Sequence, residues 1–369
     1  MGDDVEPHSL VGTVIAKRFE IITDVGEGKS AVVFKAKDMK RDDFVAIKAL
    51  LKSSLNTRHR LRRVECECSI MMHLNHPYIL SLDYVLEDTV FMYMIMPYAE
   101  GGDLLDYMLS NKPARLSEAV MKGIFYQTAQ AISFAHRNFV CHRDLKPENI
   151  LLSRDKKWVK VADWGFADRF SKTAMLQERC GTTLYAPPEM FVGQSYFGPE
   201  VDVWSLGVVL YTMKTGKFPF GGKRNEEIAR NVVSSPVRFP SDISPELKDL
   251  ITVMLSKRGT RRPSITQVLR HTWLEGVEED LRSLAARQKR EAAQRANESA
   301  QRHGEEDGAV EGELAKAPSG DTKVETEEEV GGGEAELPDG GGDAASMREP
   351  KESSPPEANA GGGGGGAGE

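Results

Sequence analysis

Residues 141–150 read Cys-His-Arg-Asp-Leu-Lys-Pro-Glu-Asn-Ile, which puts a carboxylate (Asp144), an ammonium (Lys146) and a carboxamide (Asn149) within six positions. Nineteen residues after Asp144, a second carboxylate, Asp163, opens an Asp-Trp-Gly turn. A base, a cation facing phosphate oxygens and two oxygen donors for magnesium are the parts that phosphoryl transfer needs. Each residue alone is an ordinary polar side chain; the signal lies in their order and spacing.

The nucleotide half of such a site can be sought upstream. Gly26-Glu27-Gly28-Lys29-Ser30-Ala31 falls between two β-patterned stretches, and glycines let backbone amides approach phosphates closely. Gly28-Lys29-Ser30 also suggests a P-loop NTPase, but that motif wants a small residue where Thr23 stands, and a helix where a strand pattern follows. Val45-Ala46-Ile47-Lys48 reads as a strand. Period-2 alternation puts Ala46 and Lys48 on one face, where a small residue leaves room for a purine and the lysine can reach phosphates. Lys48 needs an anion, and Glu65 and Glu67 are the candidates. Glu67 shares a helical face with Ile70, Met71 and Leu74, so it is the one placed on the apolar side.

The elements that must position these groups follow from pattern. Phe19–Val25, Ala31–Lys37 and Phe44–Leu50 are rich in β-branched and aromatic residues. Helices are expected at about Arg58–Leu74, Asp103–Ser110, Ser117–Arg137 and Val201–Lys214, with more up to Leu274. The fold class is therefore α+β: a small β-rich lobe with one helix (19–96), then a larger helical lobe (100–274). Residues 1–18 form a polar lead. Residues 275–302, rich in Ala, Glu, Arg and Gln, predict a charged helix. From 303 to 369 the chain holds 18 Asp and Glu against 4 Lys and Arg, with a run of glycines near its end, and is expected to be disordered. That acidic tail, net −14, masks a folded body of net +6.

With 40% hydrophobic residues the chain can build a full core. It has no apolar run long enough for a membrane span. Gly2 invites a myristoylation reading, but Glu6 stands where Ser or Thr is wanted. Four cysteines do not make a disulfide scaffold, and Cys66-x-Cys68 lacks a second pair at zinc spacing. An intracellular, cytoplasmic setting, with the nucleus left open, is expected, and no nucleic-acid or membrane partner.

These motifs resemble the protein kinase family over residues 19–274, and Lys146-Pro147-Glu148 resembles its serine/threonine branch. The hinge, Glu148 and Gly216-Lys217-Phe218-Pro219-Phe220 look most like the calcium/calmodulin-dependent and AMP-activated group. The resemblance implies a bilobal kinase fold, ATP and Mg²⁺ as cofactors, and protein substrates. It implies that Asp144 acts as base, with Lys146, Lys48 and Glu67 as the other catalytic residues and Asn149 and Asp163 as metal ligands. The ATP site would comprise Val25, the loop Gly26, Glu27, Gly28, Lys29, Ser30 and Ala31, then Val33, Ala46 and Lys48. Its hinge side would be Met96, Pro97, Ala99 and Asp103, with Leu151 below the ring. Thr182 would bond Asp144 and Lys146, and Glu148 with Asp103 would favour basic residues upstream of the target hydroxyl.

Three positions depart from the family pattern. Ala31 replaces the third glycine of the loop, and Pro187 replaces alanine before Pro188-Glu189. Trp164 replaces a phenylalanine in the stack expected with Met71, Leu82 and His142. In the activation segment Glu178 stands where many kinases carry a phosphothreonine, and Arg143 would be the residue that grips it. A pseudokinase scaffold would be expected to lack Lys48, Asp144 or Asp163, all of which are present. A small-molecule kinase would not need the peptide-binding stretch 181–189.

Overall fold

A computed structural model describes residues 7–27, 31–111, 113–171 and 173–291. The loop residues Gly28, Lys29 and Ser30, the myristoylation-type start and the acidic tail lie outside the described residues.

The first lobe is a six-stranded antiparallel sheet in the order β1-β2-β3-β4-β6-β5. Its strands are Val14–Ile15 (β1), Phe19–Glu27 (β2), Ala31–Asp38 (β3), Asp43–Leu51 (β4), Tyr84–Glu87 (β5) and Phe91–Pro97 (β6). Alternation sorts the side chains into two layers. Val32, Phe34 and Ala36 of β3 face an outer core with Phe19, Ile21, Val45, Ile47, Phe91 and Ile95. Val33 of β3 and Ala46 of β4 pack on the other side, against the main core. Burying one such large side chain fully, as at Phe34, contributes about 1.5–3 kcal/mol. Two features differ from the pattern reading. The polar lead contributes β1, and β2 runs on through Gly26 and Glu27, with a register shift between Asp24 and Gly26.

Helix α1 (Arg58–His73) is capped by the Thr57 hydroxyl, which accepts from the Arg60 amide. Its first turn has no acid, so charge there opposes the macrodipole. Packing of Val64, Cys68, Ile70 and Met71 into the main core offsets this.

The second lobe is helical: α2 (Leu104–Leu109), α3 (Glu118–Arg137), α4 (Pro188–Phe191), α5 (Gly198–Thr215), α6 (Asn225–Ser234), α7 (Pro245–Met254), α8 (Ile265–Leu269) and α9 (residues 277–291). Every residue of α5 from Val201 to Met213 is buried, the signature of a central helix. It ends at Gly216, whose φ of 67° and close approach to the Ala114 carbonyl (2.7 Å from a built Cβ) leave no room for a side chain. Short ladders between the helices flank the loops that hold Asp144, Lys146, Asn149 and Asp163: β7 (Val140–Cys141) with β10 (Asp168–Arg169), and β8 (Ile150–Leu152) with β9 (Val159–Val161). Helix α9 is anchored by buried Val277, and its Gln288 accepts from Trp158 Nε1 at 2.7 Å and donates to Asp155 at 2.7 Å. Among the described residues no helix is long and apolar enough to cross a membrane.

Candidate active site

Strand β4 presents Lys48 on the same face as Ala46, opposite Met94 and Met96 of β6. Lys48 Nζ lies 2.6 Å from Glu67 Oε1 and 3.5 Å from Asp163 Oδ1. Burial would lower the lysine pKa, but the two carboxylates outweigh it and hold the ammonium charged. Asp163 is likewise held below its ordinary range: withdrawal from solvent pushes its carboxyl up, and Lys48, His142 and Lys146 overcome that. Glu65 is exposed and Glu67 is 5% exposed, so the glutamate on the apolar helical face is the one that meets Lys48.

The catalytic-loop cluster is tight. The Thr182 amide and hydroxyl both donate to Asp144 Oδ1 at 2.8 Å. Lys146 Nζ is 3.0 Å from Asp144 Oδ2 and 3.1 Å from the Thr182 hydroxyl. Asn149 Nδ2 donates to the Asp144 carbonyl at 2.8 Å, which turns its own amide oxygen away from that bond. Two residues of the site hold positive φ, Arg143 (66°) and Asp163 (58°). Such backbone needs support from its surroundings. Buried Asp202 of α5 supplies part of it, accepting from the His142 and Arg143 amides at 2.9 and 2.8 Å and facing His136 Nε2 at 2.7 Å. Gly165 sits close against both carboxylates: a Cβ there would lie 3.3 Å from Asp163 Oδ1 and 3.4 Å from Glu67 Oε2, so a side chain would make these groups shift slightly.

Trp164 is fully buried, 4.7 Å from the His142 ring, with its N–H directed to the Val161 carbonyl at 3.4 Å. Met71 and Leu82 are buried with it in the main core. On the hinge, Met96 is buried, Pro97 pairs with Val45, and Ala99 is half-buried. Leu151 forms a bridge with Asp103. Asp103 has a second task that pattern did not assign: it caps α2, accepting from the Asp106 amide at 2.8 Å. Val25 is exposed at the edge of β2 and Val33 faces the cleft side.

Among the described residues no group of three or more His, Cys, Asp or Glu could hold a metal alone. Asn149 and Asp163 offer two oxygen donors, which fits magnesium, an ion that takes few protein ligands and completes its shell with water and substrate phosphate.

Several contributors were not anticipated from sequence. Arg63 and His59 of α1 meet Glu178, and Tyr196 meets the Glu178 carbonyl. Arg63 stands four residues before Glu67, on the same helical face, and that spacing was the available signal.

The model of the protein kinase domain matches residues 19–274. A human SNF-related serine/threonine-protein kinase is 35% identical over 267 residues, covering 72% of this chain and 34% of the relative. The zebrafish (Danio rerio) serine/threonine-protein kinase SIK3 homolog is 37% identical over 256 residues, covering 69% of this chain and 21% of the relative. The chain thus spans about a third and a fifth of these relatives' lengths. It belongs to the protein kinase family, and the relatives it matches are serine/threonine-protein kinases.

Proposed function

We propose that this chain transfers the terminal phosphoryl group of ATP to serine or threonine hydroxyls of proteins. The observation that carries the reading is the Asp144–Lys146–Thr182 cluster standing complete while Lys48 and Glu67 are paired. Asp144, with Oδ1 occupied by Thr182, accepts the proton of an incoming hydroxyl. Lys146 faces the transferring group and offsets its charge. Lys48, oriented by Glu67, holds the non-transferring phosphates. Magnesium, held by Asn149 and Asp163, would neutralise charge on the phosphate oxygens. Val33, Ala46, Met96 and Leu151 enclose the purine, and the carbonyl of Pro97 and amide of Ala99 meet its edge.

For the acceptor, Glu148 supports a basic residue upstream of the hydroxyl. Its Oε2 is buried and has no hydrogen-bond partner among the described residues, and an orphaned carboxylate oxygen is costly unless a cation reaches it. A peptide library of Ser, Thr and Tyr acceptors with Mg-ATP tests both statements. Transfer is expected to Ser and Thr, with upstream Arg or Lys favoured, and E148Q should reduce that preference about tenfold. Tyrosine acceptance, or no basic preference, would contradict the respective statement.

A further inference from the structure

One carboxylate outside the reacting cluster ties three elements together. Glu178 Oε1 accepts from the Arg63 guanidinium and lies 3.7 Å from His59 Nε2, both on α1. Its Oε2 faces Arg143 at 3.4 Å, and its carbonyl accepts from the Tyr196 hydroxyl at 2.5 Å. Arg63 lies on the helix that carries Glu67, and Arg143 directly precedes Asp144. Arg63 also reaches the Gly165 carbonyl (3.4 Å) and sits 4.9 Å from the Phe166 ring centroid, so it contacts the turn that follows Asp163.

The charges require an anion at this point. Arg143 has a side chain only 3% exposed, and a buried guanidinium without counter-charge is strongly destabilising. Asp168, 3.2 Å away, supplies one carboxylate, but it does not reach α1 in any bond of the described residues. The start of α1 carries Arg58, His59, Arg60, Arg62 and Arg63, with no acid in its first turn. Glu178 is the group that serves both cations. Partial burial pushes its carboxyl up, but Arg63, Arg143 and His59 bring it below the ordinary glutamate range, so it is ionised at neutral pH.

We propose that Glu178 is a positioning residue for phosphoryl transfer: its permanent charge holds α1, the Asp163 turn and the Asp144 loop in the competent arrangement, so the segment 163–189 works without an added phosphate. This rests on the kinase reading above. The test uses the full chain, freed of phosphate by phosphatase and checked by intact mass, with a Ser/Thr peptide and Mg-ATP. The phosphate-free protein should remain active. E178Q should lower kcat about tenfold with the KM for ATP within about twofold, E178D should keep most activity, and R63Q should lower kcat by less than E178Q, because Glu178 then still faces Arg143 and His59. The R63Q/E178Q double variant should fall by less than the product of the two single effects, because the Arg63–Glu178 contact is lost in all three. Phosphate-free protein without activity, or E178Q with native kcat, overturns the inference. Should E178Q fail to fold, as read by thermal unfolding, the phosphate-free native protein decides alone. Absence of transfer by the protein in every state would instead overturn the kinase reading itself, which keeps the two failures apart.

Discussion

Two arginine–glutamate pairs in this molecule look alike in sequence and differ in kind. Arg262 meets Glu189 through two parallel bonds of 2.6 and 2.8 Å, with side chains 0% and 10% exposed. Arg143 meets Glu178 through one contact of 3.4 Å, with side chains 3% and 40% exposed. The first pair lies wholly within the helical lobe, where Arg262 also donates to the Ser256 and Glu200 carbonyls. The second reaches α1 of the β-rich lobe through Arg63. A buried bidentate pair has no alternative partner and acts as a permanent clamp. A half-exposed carboxylate can be let go, and water replaces its bonds at small cost. The first arrangement suits a scaffold, the second a setting that can be released.

Breaking the clamp should have the largest effect. R262A or E189Q leaves a buried group without its partner and should cost about 3–5 kcal/mol in urea unfolding. Loss below about 1 kcal/mol would remove the distinction between the two pairs.

Glu118 offers an intermediate case, a carboxylate that joins α3 to Lys214 of α5 (3.1 Å), to Ser244 ahead of α7 (2.7 Å) and to Trp273 Nε1 (3.1 Å). Burial pushes its carboxyl up, yet the bonds from Ser244, Trp273 and Lys214 bring it down to about 2. Because the folded value lies below the ordinary one, its contribution is present above the ordinary glutamate range. It is lost as pH falls through that range toward 2. E118Q should cost about 1–3 kcal/mol at neutral pH, and the stability gap between native and variant should close on acidification. A gap that stays constant with pH would show that the charge is not what matters there.

Removing the Gln288 side chain should cost about 1 kcal/mol, since it withdraws two hydrogen bonds that fasten α9 to the β8–β9 connection. Thermal unfolding of Q288A, and of a chain ended after Leu274, reads this; the truncation should be the more damaging because it also removes Val277, which is 5% exposed, and with it the apolar contact that anchors α9. The smallest effect on stability belongs to Glu178. E178Q should stay within about 1 kcal/mol of native in urea unfolding, because Asp168, 3.2 Å from Arg143, still supplies that guanidinium with a counter-charge, while its turnover falls, separating a setting from a clamp. A stability loss as large as that of E189Q would make both pairs scaffold.

What could be read from sequence follows the range of the interactions. Lys48 with Ala46, and Glu67 with Ile70, Met71 and Leu74, were legible because strand and helix periodicity act over a few residues. The helices around Ser117–Arg137 and Val201–Lys214 were legible for the same reason, and the structure has them at Glu118–Arg137 and Gly198–Thr215. Strands β5 and β6 carry no separate signal in the pattern reading, because Phe91–Pro97 is buried on both faces for most of its length and does not alternate. The link from Arg63 to Glu178 spans 115 residues and that from Trp158 to Gln288 spans 130. No local periodicity reports such pairs. Asp103 shows a further limit, since its capping role competes for the same oxygens as any ligand role.

The central claim is that Asp144 serves as the base for transfer to a protein hydroxyl, and one comparison tests it most directly: single-turnover phosphorylation of a Ser/Thr peptide with Mg-ATP by native protein and by D144N. The account predicts transfer by the native chain and a rate lower by about 10²–10⁴-fold in D144N, with the same melting temperature. Equal rates in the two proteins, or a folded native chain that binds ATP and transfers nothing, would contradict it and favour a binding scaffold.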